Sequence, residues 1–246
     1  MVKFSVRKFY HQRQIWHWNF LDFGIVEKTL REVMVKIFRE PNTILDFGCG
    51  VFQINRRVLE EIGYKYNSID VIEVGDSDLW DGKGALPYQD GTFDTVLANG
   101  VMFLLKDLVE VKAELARVLK PDGFLVFSSP IVSPLSLPYK PEDSFQERIR
   151  LMPSAVADFY HDDGFQVIDI RTVGGAGVSV SLLLYILWEA LFKSKNGKFR
   201  LPLLPLLLFF IPLSLILNLL GMVLNKVNPG NRFSSFYIAV LQLKSE

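Results

Sequence analysis

Short apolar runs alternate with helical patterns along most of the chain. Seven runs have the length and apolar character of buried strands: 43–47, 66–71, 77–80, 93–99, 123–129, 165–173 and 235–244. Between them, apolar residues recur at helical spacing over 6–38, 53–62, 105–119 and 152–162. Alternating strands and helices are typical of βαβ units and a mainly parallel sheet. The pattern therefore predicts an α/β fold, with an N-terminal helix before a doubly wound, seven-stranded, mostly parallel sheet.

One long apolar segment departs from this pattern. Residues 201–225 carry no charge, and eighteen of these 25 residues are Leu, Phe, Ile, Val or Met. An uncharged run of about this length is a candidate for a membrane-crossing helix. It lies between the last two predicted strands, so we predict an apolar helical insertion over 174–233.

Charge separates the same insertion from the rest of the chain. The whole chain has 27 basic and 27 acidic residues, and this neutrality argues against a nucleic-acid-binding protein. The insertion has six bases and one acid, a net charge of +5, and the remainder is net −5. Bases beside an apolar segment attract anionic lipid headgroups, so we expect this insertion to associate with a membrane. The single cysteine excludes an intrachain disulfide and a Cys-rich zinc site, and no metal site is predicted.

The predicted sheet limits how the insertion can meet a membrane. A single crossing would place 235–244 on the far side, where it could not join the sheet. One alternative is a helical hairpin of 178–192 and 201–225, but its tip bases oppose the positive-inside tendency. We favour a shallow re-entrant or interfacial hairpin of two short halves, in which Pro212 breaks the apolar run, because proline interrupts helices. A soluble cap or a dimer interface is the third alternative.

The turn after the first strand has the character of a nucleotide-binding turn. Gly48 and Gly50 flank Cys49 there, and glycines let a backbone approach a ligand closely. Asp70 ends the next strand 20 residues after Gly50, a spacing that suits a carboxylate bound to ribose hydroxyls. A dinucleotide fingerprint would also require glycine at position 53, where this chain has Gln.

Two later stretches indicate a family. Residues 86–96, LPYQDGTFDTV, resemble the LPF-x-DG-x-FD-x-V stretch of class I S-adenosylmethionine-dependent methyltransferases, and 114–123, ELARVLKPDG, resembles their E-x-x-RVLKPGG stretch. With 44–50 and 68–70 they follow the family's order and spacing. The resemblance covers 43–173 and the last strand, and is closest to the small-molecule group that includes ubiquinone and menaquinone biosynthesis methyltransferases. It implies a Rossmann-like fold, methyl transfer and S-adenosylmethionine as cofactor.

The resemblance also assigns cofactor-binding residues at the first two strands. Gly48, Cys49 and Gly50 would face the methionine part of the cofactor, and Asp46 would hold its amino group, directly or through water. Asp70 would bind the ribose. We expect the Cys49 side chain to be a small packing residue rather than a nucleophile, because no histidine lies near it in sequence.

Three further residues are assigned in the same way. Asp81 would lie near the adenine amino group, although Asp76 and Asp78 compete for this role. Leu86 would lie against the adenine ring. Asn99, at the end of the fourth strand, would line the methyl-donor pocket.

The chain departs from the family pattern at two places. Phe52 stands where the family's turn has a third glycine, and its ring should widen or re-angle the joint between strand and helix. Phe103-Leu104 stands where many relatives have Glu-His, so no general base can be carried over. His11 and His17, on the aromatic N-terminal helix, are candidates, whereas His161 is expected at an exposed helix end. The proline-rich loop 130–141 is a candidate acceptor wall or only a connector.

These observations predict three parts: an N-terminal helical lid (1–40), a methyltransferase domain (41–173 and 234–246) and a membrane-associating insertion (174–233). We expect methyl transfer to a lipid-like or lipid-linked acceptor on the cytoplasmic face of a membrane, with a cytoplasmic protein as the fallback. One alternative is a non-catalytic membrane protein that retains the fold. Another is a soluble small-metabolite methyltransferase that dimerises through the apolar segment. The acceptor, the base and the oligomeric state are left open.

Overall fold

A computed structural model describes residues 20–131, 147–192, 205–227 and 234–245. They contain a seven-stranded sheet in the order β3-β2-β1-β4-β5-β7-β6. The strands are β1 (Thr43–Phe47), β2 (Lys65–Asp70), β3 (Asp78–Leu79), β4 (Phe93–Asn99), β5 (Leu119–Pro130), β6 (Phe165–Gly174) and β7 (Ser234–Leu243). The helices are α1 (Phe20–Ile37), α2 (Arg56–Ile62), α3 (Leu108–Val118), α4 (Val156–His161), α5 (Ala176–Phe192) and α6 (Leu207–Val227).

The pairing of the strands confirms the predicted α/β fold. β1 is parallel to β2 and to β4, and β2–β3 and β4–β5 are also parallel. β7 pairs with β5 in the antiparallel direction and lies between β5 and β6. The carboxyl ends of β1, β2 and β4 therefore meet at one edge, where open α/β sheets bind their ligands.

The start of α2 differs from the prediction. The helix was expected from residue 53, but it begins at Arg56 and is preceded by turns. Gln53 has a φ of +43°, a left-handed backbone that cannot continue a right-handed helix. The turn is thus longer than predicted, and the change follows Phe52, where the family pattern has glycine.

The boundary between α3 and β5 also differs. Residues 121–123 were expected to separate helix from strand, but β5 begins at Leu119, directly after α3. Asp122 has a φ of +62°, and the β4–β5 register shifts between Phe93 and Thr95. The Pro-Asp-Gly sequence therefore forms an irregularity inside the strand, of the kind that a β-bulge produces.

The chain divides into two compact units, and α5 and α6 belong to one of them. These two helices form an antiparallel hairpin whose core contains Leu184, Trp188, Phe192 and Phe210. At the other end, Gly177 N–H donates to Asn225 Oδ1 over 2.7 Å. The structure thus has a hairpin of two separate helices, which is the alternative that we did not favour from the sequence.

The predicted break at Pro212 is wrong, because α6 runs unbroken through this residue. Pro212 is in the second turn of α6, so the helix loses only the N–H bond to the carbonyl of residue 208. Ser214, two residues later, donates its hydroxyl to the Ile211 carbonyl over 2.9 Å. Fifteen residues of uninterrupted helix follow Pro212 (213–227), so tertiary packing outweighs the local cost.

Candidate active site

Backbone hydrogen bonds hold the glycine turn against the end of β2. The N–H groups of Gly48 and Cys49 both donate to the Ile69 carbonyl, at 2.9 and 3.3 Å. Gly50 N–H donates to Asp70 Oδ2 over 2.7 Å. The Asp70 side chain is buried at the carboxyl edge of the sheet. The structure therefore brings together Gly48, Cys49, Gly50 and Asp70, as the sequence predicts.

Two glycines leave open space at this edge. A Cβ at Gly50 (φ +67°) or at Gly100 (φ +74°) would meet no atom within 4 Å beyond its chain neighbours. At Gly48 (φ +71°) a Cβ would lie 2.6 Å from Val101 Cγ2, so that glycine is required by packing. The edge thus has open space in front of the backbone next to the Asp70 carboxylate. This arrangement fits a nucleotide-type ligand.

Asp46 lies behind the turn and is fully buried. Tyr66 donates its hydroxyl to Asp46 Oδ2 over 2.9 Å, and Asn55 Nδ2 donates to both carboxylate oxygens at 3.1 and 3.3 Å. Burial is the largest influence on this carboxyl and raises its pKa to about 6. The donors that Asp46 accepts from in the structure are protein groups, and its predicted contact with the cofactor amino group stays a prediction.

The hydrogen bonds continue from Asp46 across the sheet. Asn99 Nδ2 donates to Asn55 Oδ1 over 2.9 Å, and Ser128 Oγ donates to Asn99 Oδ1 over 2.6 Å. Asn99 and Ser128 are register partners on β4 and β5. Sequence reasoning found Asn99 but missed Asn55 and Ser128. The sequence holds no signal for these two residues, because their burial and their partners exist only in the fold.

The two family-like stretches contact each other through one arginine. Arg117 donates to both carboxylate oxygens of Glu114 and to Asp90, at 2.7 to 2.9 Å. It also donates to the carbonyls of Leu86 and Tyr88, and Glu114 Oε2 accepts from Leu86 N–H. The ELARV sequence therefore holds the LPYQD loop in place.

The other predicted residues lie in different surroundings. Cys49 is buried, and burial raises the pKa of its thiol, which suits the expected packing role. Leu86 is also buried, in the core of the sheet. Asp81 is exposed and accepts from Lys83 N–H over 2.8 Å, closing its own turn. The roles of Leu86 and Asp81 toward the adenine ring stay predictions.

Asp76 and Asp78, the competitors of Asp81, each have a protein partner. Arg56 donates to Asp76 at 2.7 Å, and Tyr88 donates its hydroxyl to Asp78 at 2.7 Å. The bond from Arg56 connects the start of α2 to the segment after β2, across the lengthened turn. Both acids therefore have structural contacts independent of any ligand.

The candidates for a general base lie mostly beyond the described residues. His11, His17 and most of the loop 130–141 are in the parts that the structure does not describe. His161 is at the end of α4 and exposed, as expected. Met102–Leu104 form a short 3₁₀ turn after β4, and Phe103 is buried there. Within the ranges described, no group of three or more His, Cys, Asp or Glu residues could hold a metal.

Comparisons with known proteins identify the domain that contains these residues. A protein-family model described as a methyltransferase domain matches residues 45–127. The glycine/sarcosine/dimethylglycine N-methyltransferase of Actinopolyspora halophila is 29% identical over 124 residues, 44% of this chain and 22% of that protein. The match thus spans about a fifth of the relative's length.

Solved structures share the fold at lower identity. The 4+2 cyclase SpnF has a TM-score of 0.53 and 17% identity, with 89% of this chain and 81% of that chain covered. A SAM-dependent methyltransferase from Archaeoglobus fulgidus has a TM-score of 0.51 and 18% identity, with coverages of 89% and 93%. These likenesses concern the fold.

The family-model match and the site describe the same part of the chain. Residues 45–127 include the glycine turn, Asp70, Asn99 and the brace between Glu114 and Arg117. The comparisons do not single out the ubiquinone and menaquinone group, which stays a prediction. The chain therefore contains a methyltransferase domain over 45–127, set in a sheet whose strand order and glycine turn are those of the Rossmann-like methyltransferase fold.

Proposed function

We propose that this chain transfers a methyl group from S-adenosylmethionine to a lipid-like or lipid-linked acceptor at a membrane. The reaction would take place on the cytoplasmic face. Methyl transfer is supported by the domain match and by the open glycine turn beside Asp70. The lipid acceptor is supported by the surface of the α5–α6 hairpin.

The residues at the carboxyl edge have separate tasks in this proposal. The open backbone at Gly50 and Gly100 would accommodate the cofactor, and the Asp70 carboxylate would accept hydrogen bonds from its ribose hydroxyls. The bound cofactor supplies a methyl group that is already activated on a sulfonium. The protein then has to align the acceptor with that methyl group and exclude water, and such alignment alone accelerates a reaction greatly.

The observation that carries the membrane part is the exposure pattern of α6. It is the one helix, among the described residues, that is long and apolar enough to cross a membrane. Its buried residues Phe210, Ser214, Asn218 and Gly221 form a narrow stripe, about 80° wide at 3.6 residues per turn. The side chains of this stripe are largely polar or small, the kind found between membrane helices.

The rest of the helix surface is apolar and exposed. Exposed side chains cover roughly 200° of the circumference: Leu208, Phe209, Ile211, Leu213, Ile216, Leu219, Leu220, Met222, Val223 and Val227. Monomeric soluble proteins rarely expose an apolar patch of this size. A flat dimer contact covers one side of a helix, whereas lipid covers every side. The arc therefore favours a bilayer over a dimer interface.

A small amine is the second candidate acceptor. The relative from Actinopolyspora halophila is named for methyl transfer to glycine, sarcosine and dimethylglycine. That match favours a small-metabolite acceptor. In that case the exposed arc of α6 would be a dimer interface. The two candidates predict different products and a different distribution of the protein between membrane and supernatant.

Detergent-extracted protein with tritiated methyl donor separates the two candidates. One reaction receives a total lipid extract and a second receives glycine, sarcosine and dimethylglycine; Asp70→Ala is the control for both. We expect counts in the organic phase of the first reaction only, and protein that stays with membranes after an alkaline wash. A labelled amine product from a protein found in the supernatant would favour the second candidate. No transfer to either acceptor set, by protein that binds S-adenosylhomocysteine, would favour the non-catalytic alternative.

A further inference from the structure

A line of hydrogen bonds crosses four strands below the candidate cofactor pocket. It runs from Tyr66 on β2 through Asp46 on β1 to Asn55, then to Asn99 on β4 and Ser128 on β5. Asp46, Asn55 and Ser128 are buried, whereas Tyr66 and Asn99 are partly exposed, and of these two it is Asn99 that ends its strand and precedes Gly100, which faces open space. Asn99 is thus the member of the line that a bound ligand can reach at this edge.

The line has a direction that depends on Asp46. An ionised carboxylate only accepts hydrogen bonds, so Asn55 must turn its amide nitrogen toward Asp46 and its oxygen toward Asn99. Asn99 must then turn its nitrogen toward Asn55 and its oxygen toward Ser128. An uncharged Asp46 could donate a proton, and both amides could then reverse.

We infer that Asp46 is a positioning residue, which acts through Asn55 to set the donor and acceptor sides of the Asn99 amide at the cofactor pocket. The inference rests on the proposed function, because it takes this pocket to hold S-adenosylmethionine. It gives Asp46 a task that does not require contact with the ligand. Asn99 uses one of its two N–H groups on Asn55, and the other is left for a ligand.

The line also makes binding depend on pH. Burial raises the pKa of Asp46 to about 6, with hydrogen bonds from Tyr66 and Asn55 opposing the shift and the nearby Asp70 adding to it. Tyr66 and Cys49 are also titratable and interact with Asp46, and burial raises the pKa of the phenol and of the thiol above their ordinary ranges. As pH falls through about 6, Asp46 takes up a proton and the line loses its fixed direction. Ligand affinity should fall over the same range.

The test measures binding rather than turnover. The full-length protein in detergent is titrated with S-adenosylhomocysteine by calorimetry between pH 5.5 and 8.5, as wild type and as Asp46→Asn. We expect the variant to bind at least about tenfold more weakly at pH 7.5, with an affinity that changes less with pH than that of the wild type. Asp94→Asn is the matched control, because Asp94 is bound by Lys120 and by Thr43 N–H at the opposite edge of the sheet. It should bind as the wild type does.

The outcomes separate this inference from the proposed function. Wild-type protein that does not bind S-adenosylhomocysteine contradicts the proposed function itself. If the wild type binds S-adenosylhomocysteine, and Asp46→Asn binds it with the same affinity and the same pH profile, the inference alone is contradicted. If Asp46→Asn does not fold, Ser128→Ala decides the matter, because it removes only the hydroxyl donor to Asn99. We expect about threefold weaker binding from Ser128→Ala, and unchanged affinity would overturn the inference.

Discussion

The sheet and helix α6 differ in the side chains that they bury and expose. β1 buries Ile44, Leu45 and Phe47 among other apolar residues, and the one carboxylate on that strand, Asp46, has protein donors. Helix α6 buries Phe210 in an apolar cluster near one end, but along the rest of its length it buries Ser214, Asn218 and Gly221 and exposes large apolar side chains. A sheet that folds in water hides its apolar groups from solvent. A helix in lipid has no such driving force and packs through small and polar residues instead.

Because of this contrast, an exposed apolar residue has to be interpreted from the helix surface around it. Ile216 on α6 is 61% exposed, and Val109 on α3 is 65% exposed. By exposure the two side chains are equivalent, but Val109 stands on a helix whose buried face includes Leu115 and Val118, as an amphipathic helix in water does. Singly exposed apolar residues need no explanation, whereas the arc that includes Ile216 does.

The largest expected effect comes from a charge on that arc. Ile216→Lys should release the protein from membranes, because a lysine near the middle of a bilayer helix costs about 2.5 to 3.5 kcal/mol. Val109→Lys is the matched control and should change stability by less than about 0.5 kcal/mol. Sedimentation of washed membranes followed by immunoblotting measures both variants. If Ile216→Lys and Val109→Lys were recovered with membranes to the same extent, the distinction between α6 and α3 would be contradicted.

The buried carboxylate gives the next largest effect. The pKa of Asp46 is raised in the folded protein, to about 6 from an ordinary value of 3.8, so the folded state holds its proton more tightly. The stability from this group is complete below pH 4 and is lost as pH rises through 6. Across that range the difference in unfolding free energy between wild type and Asp46→Asn should change by roughly 2 to 3 kcal/mol. Urea titrations in detergent at pH 4 and 7.5 measure it, and a constant difference would contradict the prediction.

Loss of the Asp70 carboxylate should weaken ligand binding by about 1 to 3 kcal/mol. The Asp70→Ala substitution removes the expected partner of the ribose and the acceptor of Gly50 N–H. Calorimetry with S-adenosylhomocysteine measures the affinity. Asp90→Ala serves as the control, because Asp90 is an exposed acid bound by Arg117. An Asp70→Ala protein that binds as tightly as wild type would disprove the role of this carboxylate.

The smallest effect is expected at the lengthened turn. Phe52→Gly restores the glycine of the family pattern and should leave S-adenosylhomocysteine affinity unchanged or raise it, by less than about 1 kcal/mol. Val51→Gly changes the neighbouring exposed residue, which is not a glycine position in the family, and should bring no gain. A large loss of affinity in Phe52→Gly would instead show that the ring contacts the ligand.

Local pattern was sufficient for much of the sheet but not for its irregular joints. The bounds of β1 and β4 agree with the prediction, because each strand is an apolar run that glycine or asparagine closes at its carboxyl end. The start of α2 could not be predicted, since it depends on the backbone of Gln53 in a turn that lacks the family glycine. Pro212 was misread because a local rule was applied to a helix that packs against α5.

The candidate site divides in the same way. The glycine turn and Asp70 could be found because their residue types and spacing carry a signal along the chain. Asn55 and Ser128 could not, because their partners are 44 and 29 residues away and only the fold brings them to Asn99. Family resemblance therefore predicts contacts made by the backbone of one turn more reliably than hydrogen bonds between side chains that are distant in sequence.

The place of β7 has a consequence for the order of events during synthesis. β7 follows the hairpin in the chain, yet it lies between β5 and β6 in the sheet. Until the ribosome has made β7, the edges of β5 and β6 have no partner strand, and unpaired edges invite wrong association. The hairpin is complete before that point. On the proposed function, the nascent chain would therefore reach the membrane with its sheet still open, so that delivery would precede closure of the domain.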